Sequence, residues 1–168
     1  MSLAQNKILD KLQMLQKIRR IAYQIYENHY LEPAIYMAGI DGSGYLLAEM
    51  ICKELETISA NEVHLIKISV DKDASTQPKI DLDIDLASLN GKVVIMVDDV
   101  LNSGRTLAFS FQPFLSQSIK KLEVAVLVNR SHKRYPVSVD YTGYELATTL
   151  SEHIHVVLDS DKMAVYLQ

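Results

Sequence analysis

The 168-residue sequence has a single cysteine, Cys52, which excludes an intramolecular disulfide. It also lacks an uninterrupted apolar run long enough to span a bilayer. Residues 1–10 do not follow the basic-then-apolar order of a secretory signal. Because nothing in the sequence points to a membrane or to an oxidising compartment, we expect a protein of the reducing cytoplasm.

Positive charge is not in excess, since 17 lysines and arginines face 21 aspartates and glutamates and the formal net charge is −4. A protein that coats nucleic acid normally carries a broad basic surface, so the net charge argues against this class of protein. It does not exclude a local basic patch. The chain has no internal repeats and no low-complexity tract. Its 48% hydrophobic and 23% charged residues are typical of one soluble globular domain, which we place at 1–168.

The spacing of apolar residues predicts strands and helices that alternate along the chain. This order is typical of an α/β fold with a mainly parallel twisted sheet flanked by helices, whose ligands bind beyond the carboxyl ends of the strands. The run from Val93 to Val97 is apolar on both faces, as a central parallel strand requires. We predict helices over 8–26, 47–55 and 106–115, and strands over 34–38, 63–70, 80–86, 92–97, 124–128 and 155–158.

The segment Val93–Leu107 carries the clearest chemical pattern. Its hydrophobic strand is expected to end in two adjacent carboxylates, Asp98 and Asp99, which would reach the ligand crevice. Carboxylates accept hydrogen bonds from vicinal sugar hydroxyls and tolerate a hydrated magnesium ion nearby. The alternative is that the two acids only end a strand and cap a helix. The whole segment favours ligand binding, because strand, acid pair and helix opening coincide.

The loop after the acids has the composition of a phosphate-binding turn. Gly104 permits a close approach of the backbone, and Ser103 and Thr106 offer hydroxyl groups. The amides of residues 103–106 can converge on a phosphate at the positive end of the next helix. The segment therefore predicts a pocket for a sugar diol beside a phosphate. It is not a Walker loop, because it has no Gly-Lys-Ser/Thr.

Val93–Leu107 resembles the phosphoribosyl-pyrophosphate signature of type I phosphoribosyltransferases. The resemblance implies that Asp98 and Asp99 hold the ribose hydroxyls of 5-phosphoribosyl-1-pyrophosphate, with magnesium bound near them. It also implies a core over about 34–130 and a small hood formed by the N-terminal helix and the C-terminal segment. The residues that would cradle the 5-phosphate are Asn102, Ser103, Gly104, Arg105 and Thr106. Since the amide of Asn102 cannot act as a general base, we assign none.

Residues 127–136 and 140–143 resemble the C-terminal part of one subgroup, the bifunctional pyrimidine-operon regulators with uracil phosphoribosyltransferase activity. The match is imperfect, because Asn129 replaces an acid of the subgroup. The resemblance implies that Arg130 and Tyr141 lie near the nucleobase. The alternative for both residues is ordinary salt bridging and core packing.

The resemblance also implies roles for two further loops. The turn Gly39–Gly44 matches the pyrophosphate loop in position, although a plain strand-to-helix turn is the alternative. The pyrophosphate-loop residues would be Ile40, Asp41, Gly42 and Ser43, where the subgroup has basic residues. Lys72 lies where the family has a mobile loop that closes over the reaction, and its charge would favour the departing pyrophosphate. A solvated lysine in a polar loop is the alternative there.

The expected function is a phosphoribosyltransferase that uses 5-phosphoribosyl-1-pyrophosphate and magnesium to convert a nucleobase to its nucleoside monophosphate and pyrophosphate. The subgroup resemblance favours a pyrimidine such as uracil and implies a homo-oligomer. One alternative is a nucleotide-sensing regulator of transcription attenuation that binds RNA, which the negative net charge does not favour. Another is a non-catalytic relative that only binds ligand. A basic patch for RNA would draw on Lys17, Arg19, Arg20, Lys133 and Arg134.

Overall fold

The computed structural model describes residues 6–71, 73, 74, 76–130 and 132–168. Within these ranges the strands form two sheets. The larger sheet has the order β4-β3-β2-β5-β6-β7, and the smaller has the order β1-β9-β8. The strands are β1 (Asn6–Leu9), β2 (Ala34–Ile40), β3 (Glu62–Val70), β4 (Ile80–Leu82), β5 (Val93–Leu101), β6 (Lys121–Arg130), β7 (Tyr141–Leu146), β8 (Ile154–Val157) and β9 (Ala164–Leu167).

The larger sheet is parallel except for β4, which pairs antiparallel with β3 at one edge. Its helices are α1 (Lys11–His29), α2 (Ser43–Ile58), α3 (Arg105–Ser110) and α4 (Gln112–Leu115), with a 3-10 helix at Leu86–Leu89. The predicted α/β fold with a mainly parallel sheet flanked by helices is therefore confirmed. None of the described helices combines the length and the apolar character needed to cross a membrane.

The two faces of the larger sheet are covered by different helices. Ile95 and Val97 of β5 face a buried cluster that includes the apolar stripes of α1 and α2. Val94 and Met96 face a second cluster that includes Phe114 of α4. Because β5 is covered on both sides, its residues 93–97 are all buried, as its apolar composition predicts.

The first helix begins later than its periodicity predicts. Asp10 caps α1, since its carboxylate accepts a hydrogen bond from the Gln13 amide at 2.8 Å and the Gln13 side chain accepts one from the Asp10 amide at 3.0 Å. Ile8, which fits the helical spacing, lies instead in β1, which pairs with β9. The small sheet thus joins the two ends of the described chain, whereas α1 packs on the large sheet against α2 and β7.

Two other elements are shorter than predicted. The strand expected over 80–86 ends at Leu82, because the side chains of Asp83 and Asp85 accept hydrogen bonds from the Lys67 and Ala87 amides instead of pointing out of a regular strand. The helix expected over 106–115 is divided at Phe111 into α3 and α4. A proline in the first turn of α4 has no amide to continue the hydrogen bonding of α3.

Candidate functional site

The candidate site lies where the chain changes direction across the large sheet. Strands β2 and β5 are neighbours, but the chain leaves β2 toward β3 on one side and leaves β5 toward β6 on the other. A crevice forms at the carboxyl ends of two strands with this arrangement. The glycine turn 39–44 follows β2 and the loop 102–104 follows β5. Both predicted ligand loops therefore share one edge of the sheet.

Asp98 and Asp99 lie within β5 rather than at its end, because the pairing with β6 continues to Leu101. Both carboxylates are half-buried and are fixed by neighbouring amides. The Asp99 amide donates to Asp98 Oδ1 at 3.0 Å, and the Val100 amide donates to Asp99 Oδ1 at 2.8 Å. Local backbone contacts thus hold two adjacent acids at the crevice in defined orientations.

The residues from Asp98 to Leu107 enclose a cavity of about 150 Å³. This volume is several times the ~30 Å³ that a water molecule occupies, so a phosphate group has room there. Gly104 turns the loop with a φ of +83°, and a Cβ at this position would lie 3.2 Å from Cγ2 of Val137. The Arg105 amide donates to Ser103 Oγ at 3.2 Å. The predicted loop residues 102–106 are therefore brought together around one cavity.

The side chain of Arg105 has a contact that sequence reasoning missed. Its guanidinium donates to the carbonyls of Ala74 and Thr76 at 3.1 and 2.8 Å and lies 5.0 Å from the centre of the Phe109 ring. The backbone of Arg105 thus belongs to the cavity, while its side chain holds the loop between β3 and β4. Lys72, predicted to act from this loop, lies outside the described residues.

Arg130 is brought to the same edge by β6, of which it is the last residue. It is 7% exposed, and its guanidinium donates to Asn102 Oδ1 at 3.4 Å, to the Thr149 carbonyl at 2.8 Å and to the Thr148 hydroxyl. A cavity of about 430 Å³ lies beside it, between Asn102 and the exposed side chain of Leu150. The structure thus places Arg130 between the loop after β5 and a second, larger space.

The loop between β6 and β7 closes the other side of the phosphate cradle, defined as residues 102–106 around the cavity of about 150 Å³. The amides of Arg134 and Tyr135 both donate to the Ser103 carbonyl, at 2.8 and 3.0 Å. These bonds fix the cradle to a segment remote in sequence. They also place Lys133 and Arg134 on the wall of the 430 Å³ cavity, which gives this space a positive border.

Tyr141 lines neither of these cavities, and its expected role near a nucleobase stays a prediction. It is the first residue of β7, is 1% exposed, and pairs with Ala125, which pairs in turn with Val97 of β5. Its hydroxyl donates to Glu123 Oε2 at 2.9 Å and accepts from Asn28 Nδ2 at 3.0 Å. Glu123 Oε2 also lies 2.6 Å from Nε2 of the buried His29. The Tyr141 side chain therefore takes part in a hydrogen-bonded cluster with His29 and Glu123 in the described fold.

Glu123, the buried acid of this cluster, is not predicted from the sequence as a residue of special importance. Burial raises the pKa of Glu123, but hydrogen bonds from His29, Lys121 and Tyr141 outweigh it and lower this pKa to about 2. Burial also raises the pKa of the Tyr141 phenol. The available signal was a carboxylate inside the strand run 121–130, followed by five buried apolar residues. The cluster stabilises the fold and is remote from the cradle.

The glycine turn meets the acid pair directly. A Cβ at Gly44 would lie 2.9 Å from the Val97 carbonyl oxygen and 3.0 Å from Asp98 Oδ1, so only glycine permits this approach. Gly42 caps α2 with a φ of +93°, and its amide donates to Asp41 Oδ1 at 3.0 Å. The four predicted turn residues, 40–43, are thus brought beside the acids. Lys67 of β3, not predicted as a site residue, also contacts this turn.

Asp98 and Asp99 offer two carboxylates to a magnesium ion that a ligand brings with it. No cluster of three or more His, Cys, Asp or Glu side chains suited to hold a metal occurs among the described residues. Magnesium commonly binds to one or two carboxylates and completes its shell with water and substrate phosphates. Asp98 and Asp99 therefore suit magnesium that arrives with a phosphorylated ligand better than a resident structural metal.

Comparison with known proteins gives consistent matches over nearly the whole chain. Residues 4–162 match the phosphoribosyl transferase domain family. The chain is 36% identical over 159 residues to the bifunctional protein PyrR of Fusobacterium nucleatum, covering 90% of this chain and 89% of the relative. It is 30% identical to the pyrimidine operon regulatory protein of Lactococcus lactis, with 92% and 90% covered. The structure of the hypoxanthine phosphoribosyltransferase of Trypanosoma cruzi superposes with a TM-score of 0.79 at 18% identity, with 99% and 98% covered.

Proposed function

Because the chain belongs to the phosphoribosyltransferase family, we propose that it transfers the phosphoribosyl group of 5-phosphoribosyl-1-pyrophosphate to a nucleobase and releases pyrophosphate. The observation that carries this proposal is the meeting of three features at one crevice. The cradle of residues 102–106 and the acids Asp98 and Asp99 line one cavity, and the turn approaches Asp98 at Gly44. A phosphate site, a diol site and a second phosphate site are the three contacts that this cosubstrate needs.

In the proposed complex, the amides of residues 103–106 and the hydroxyls of Ser103 and Thr106 bind the 5-phosphate. The carboxylates of Asp98 and Asp99 accept hydrogen bonds from the ribose hydroxyls. The pyrophosphate lies along the turn Ile40–Ser43, which opens α2. Asp98 and Asp99 would hold magnesium that arrives with the cosubstrate, and this ion would supply charge neutralisation for the leaving pyrophosphate.

The reaction requires little acid–base chemistry from the protein. As the bond from C1 of ribose to pyrophosphate breaks, positive charge develops on the sugar, a ring nitrogen of the base attacks from the opposite side, and the proton of that nitrogen leaves to pyrophosphate or to water. Fixed carboxylates beside the ribose stabilise this charge, and the two loops hold the reacting atoms in line. Asn102, an amide at the start of the cradle, donates no catalytic proton, and its Oδ1 accepts from Arg130 instead.

The nucleobase is proposed to enter the 430 Å³ cavity between Asn102, Arg130 and Leu150. A pyrimidine such as uracil is favoured, because relatives at 30–36% identity are named as PyrR proteins or as a pyrimidine operon regulatory protein. The structural neighbours that act on hypoxanthine are less than 25% identical to this chain, so they support the fold and not the base.

A panel of nucleobases with labelled cosubstrate and magnesium chloride tests the proposal. Uracil is expected to give a nucleoside monophosphate, and the double variant Asp98→Asn with Asp99→Asn is expected to lose both product and cosubstrate binding. Product from a purine alone would replace the pyrimidine assignment. Cosubstrate binding without product from any base would favour a non-catalytic ligand-binding role. Unchanged cosubstrate affinity in the double variant would contradict the site itself.

A second candidate function is suggested by the names of these relatives: an RNA-binding regulator that senses nucleotides. The basic residues on which RNA binding would depend lie in two parts of the structure. On α1, Arg19 pairs with Glu54, and Arg20 donates to carbonyls at the start of β7. Lys133 and Arg134 lie instead beside the cradle. Because these residues form no continuous stripe within one described protomer, the regulator reading would require a homo-oligomer to assemble the surface.

Sedimentation and salt-dependent RNA titration test the regulator together with the expected homo-oligomer. Nucleotide-responsive binding of a pyrimidine-operon leader transcript that weakens steeply with salt would favour the regulator. A monomer without such binding would exclude it and leave the transferase proposal standing. The cytoplasmic location expected from the sequence stays a prediction.

A further inference from the structure

The pyrophosphate loop proposed above lacks a basic residue, and a neighbouring strand supplies one. We propose that Lys67 of β3 is the cation of the pyrophosphate subsite, and that the Asp41 carboxylate occupies this subsite until the ligand displaces it. The inference rests on the proposed function and adds two roles to it. Lys67 would bind the diphosphate, while Asp41 would lower the affinity for it.

The need for such a cation follows from the sequence of the turn, Gly39–Gly44, which contains one carboxylate and no lysine or arginine. A diphosphate carries several negative charges, and backbone amides supply only partial positive charge. A site for this ligand normally adds a lysine or arginine as a full charge. The turn therefore needs a basic side chain from another part of the fold.

Lys67 lies in the position to provide it. Strand β3 pairs with β2, and the register places Lys67 opposite Gly39 at the start of the turn. The Lys67 ammonium is 3.5 Å from Asp41 Oδ1 and 4.9 Å from the centre of the Tyr45 ring, in the first turn of α2. The Lys67 side chain is 40% exposed, so its ammonium remains accessible to a ligand.

The Asp41 carboxylate makes the contacts that a bound anion would make. Its Oδ1 accepts the Gly42 amide at the start of α2 and lies beside the Lys67 ammonium. One oxygen therefore engages a backbone donor and a cation together. The Asp41 side chain is 56% exposed, and exposed ion pairs are weak, so a more highly charged ligand can displace it. A cavity of about 430 Å³ next to Ile40 and Gly42 provides space for the displacing group.

Other charges around the cavity also oppose a free anion. Asp71 and Asp73 line the same space, and Asp83 accepts the backbone amide of Lys67. With these carboxylates nearby, the subsite suits magnesium pyrophosphate, whose net charge is smaller than that of the free anion. The titrations should therefore contain magnesium.

Calorimetric titration of inorganic pyrophosphate in magnesium chloride tests the inference on four proteins: wild type, Asp41→Asn, Lys67→Met and the double variant. Removal of one charge at contact distance in a solvated site changes affinity by about fivefold. Asp41→Asn is therefore expected to tighten binding by about fivefold and Lys67→Met to weaken it by a similar factor. The gain from Asp41→Asn should shrink in the Lys67→Met background, because the two side chains act on one subsite.

The exposed ion pair between Lys79 and Asp81, 3.2 Å apart, provides matched controls. Lys79→Met and Asp81→Asn make the same changes in net charge, and Lys79 lines the cavity beside α4 and not the one beside the turn. Equal effects of Lys67→Met and Lys79→Met would overturn the inference. Weaker binding in Asp41→Asn would also overturn it, because Asp41 would then contribute to affinity.

The outcomes separate this inference from the proposed function. If wild type binds neither 5-phosphoribosyl-1-pyrophosphate nor pyrophosphate in magnesium, both fail. If wild type binds both ligands and the Asp98→Asn with Asp99→Asn variant loses the cosubstrate, the proposed function stands. In that case, Lys67 and Asp41 variants that match their controls would refute only the inference.

Discussion

Replacement of Glu123 by glutamine is expected to destabilise the protein by about 3 kcal/mol at neutral pH, with a loss that depends on pH. The Glu123 side chain is 3% exposed and receives three contacts at the amino edge of the sheet. His29 Nε2 lies 2.6 Å and the Tyr141 hydroxyl 2.9 Å from Oε2, while Lys121 Nζ lies 2.5 Å from Oε1. Glutamine keeps the shape but removes the charge that these donors face.

The magnitude follows from the pKa of Glu123. Contacts with His29, Lys121 and Tyr141 lower it, against the effect of burial, from 4.5 to about 2. A difference of this size between the folded and unfolded states corresponds to about 3 kcal/mol.

The sign of the pH dependence is set by the direction of the shift. Because the pKa of Glu123 is lower in the folded protein, its carboxylate contributes stability at pH values above 4.5. This contribution is lost as the pH falls from 4.5 toward 2, since in this range the unfolded chain binds a proton at Glu123 and the folded protein does not. Wild type and Glu123→Gln should therefore converge in stability, with more than half of the difference gone at about pH 3.

Urea unfolding followed by circular dichroism at several pH values between 7 and 3 measures this difference. Glu62→Gln is the matched control, because Glu62 also contacts a histidine, His64, at 3.1 Å but is 72% exposed. The control should change the free energy of unfolding by less than about 1 kcal/mol. A Glu123→Gln loss that stays constant between pH 7 and 3, or that equals the control, would refute the reasoning.

Three further variants and reactions test other parts of the structure. Gly44→Ala should destabilise the fold by about 1–3 kcal/mol and weaken cosubstrate binding, because the added methyl group would press on Val97 and Asp98. Unchanged cosubstrate affinity in calorimetry would contradict the close approach of Gly44 to Asp98. Arg105→Ala should raise hydrogen exchange at residues 73, 74 and 76 while α2 stays protected. Equal protection in the two proteins would show that the guanidinium does not hold this loop. Burial raises the pKa of the Cys52 thiol to about 12. Iodoacetamide at pH 8 should therefore label Cys52 in the unfolded chain and not in the native protein. Equal labelling rates in the two states would contradict the burial of Cys52.

The parts of the fold that sequence predicts are those determined by local patterns. Val93–Val97 is apolar at every position, and such a run is typical of a strand covered on both faces. The two glycine turns predict the shared edge, because parallel strands place their carboxyl ends together. Within the site, the cradle and the acid pair follow from the same reasoning and from the resemblance.

The features that sequence did not predict depend on contacts between distant residues. Nothing local indicates that Asn6–Leu9 pairs with Ala164–Leu167 and so shortens the first helix. The hydrogen bond of the Tyr141 hydroxyl to Glu123, 18 residues away, likewise depends on strand pairing and not on a local pattern. The contact of Lys67 with the glycine turn likewise arises from strand pairing, which periodicity does not reveal.

Strand β6 begins beside the buried acid Glu123 and ends at Arg130 in the candidate site. The residues that secure this part of the sheet and the residues that meet the ligand therefore occupy opposite ends of one strand. Substitutions around Arg130 can alter which ligand is accepted without disturbing the contacts of Glu123. Since most functional changes cost stability, a stabilising cluster at the far end lets such changes accumulate before the fold fails. Changes at the Arg130 end of the strand can therefore occur with little cost to the cluster around Glu123.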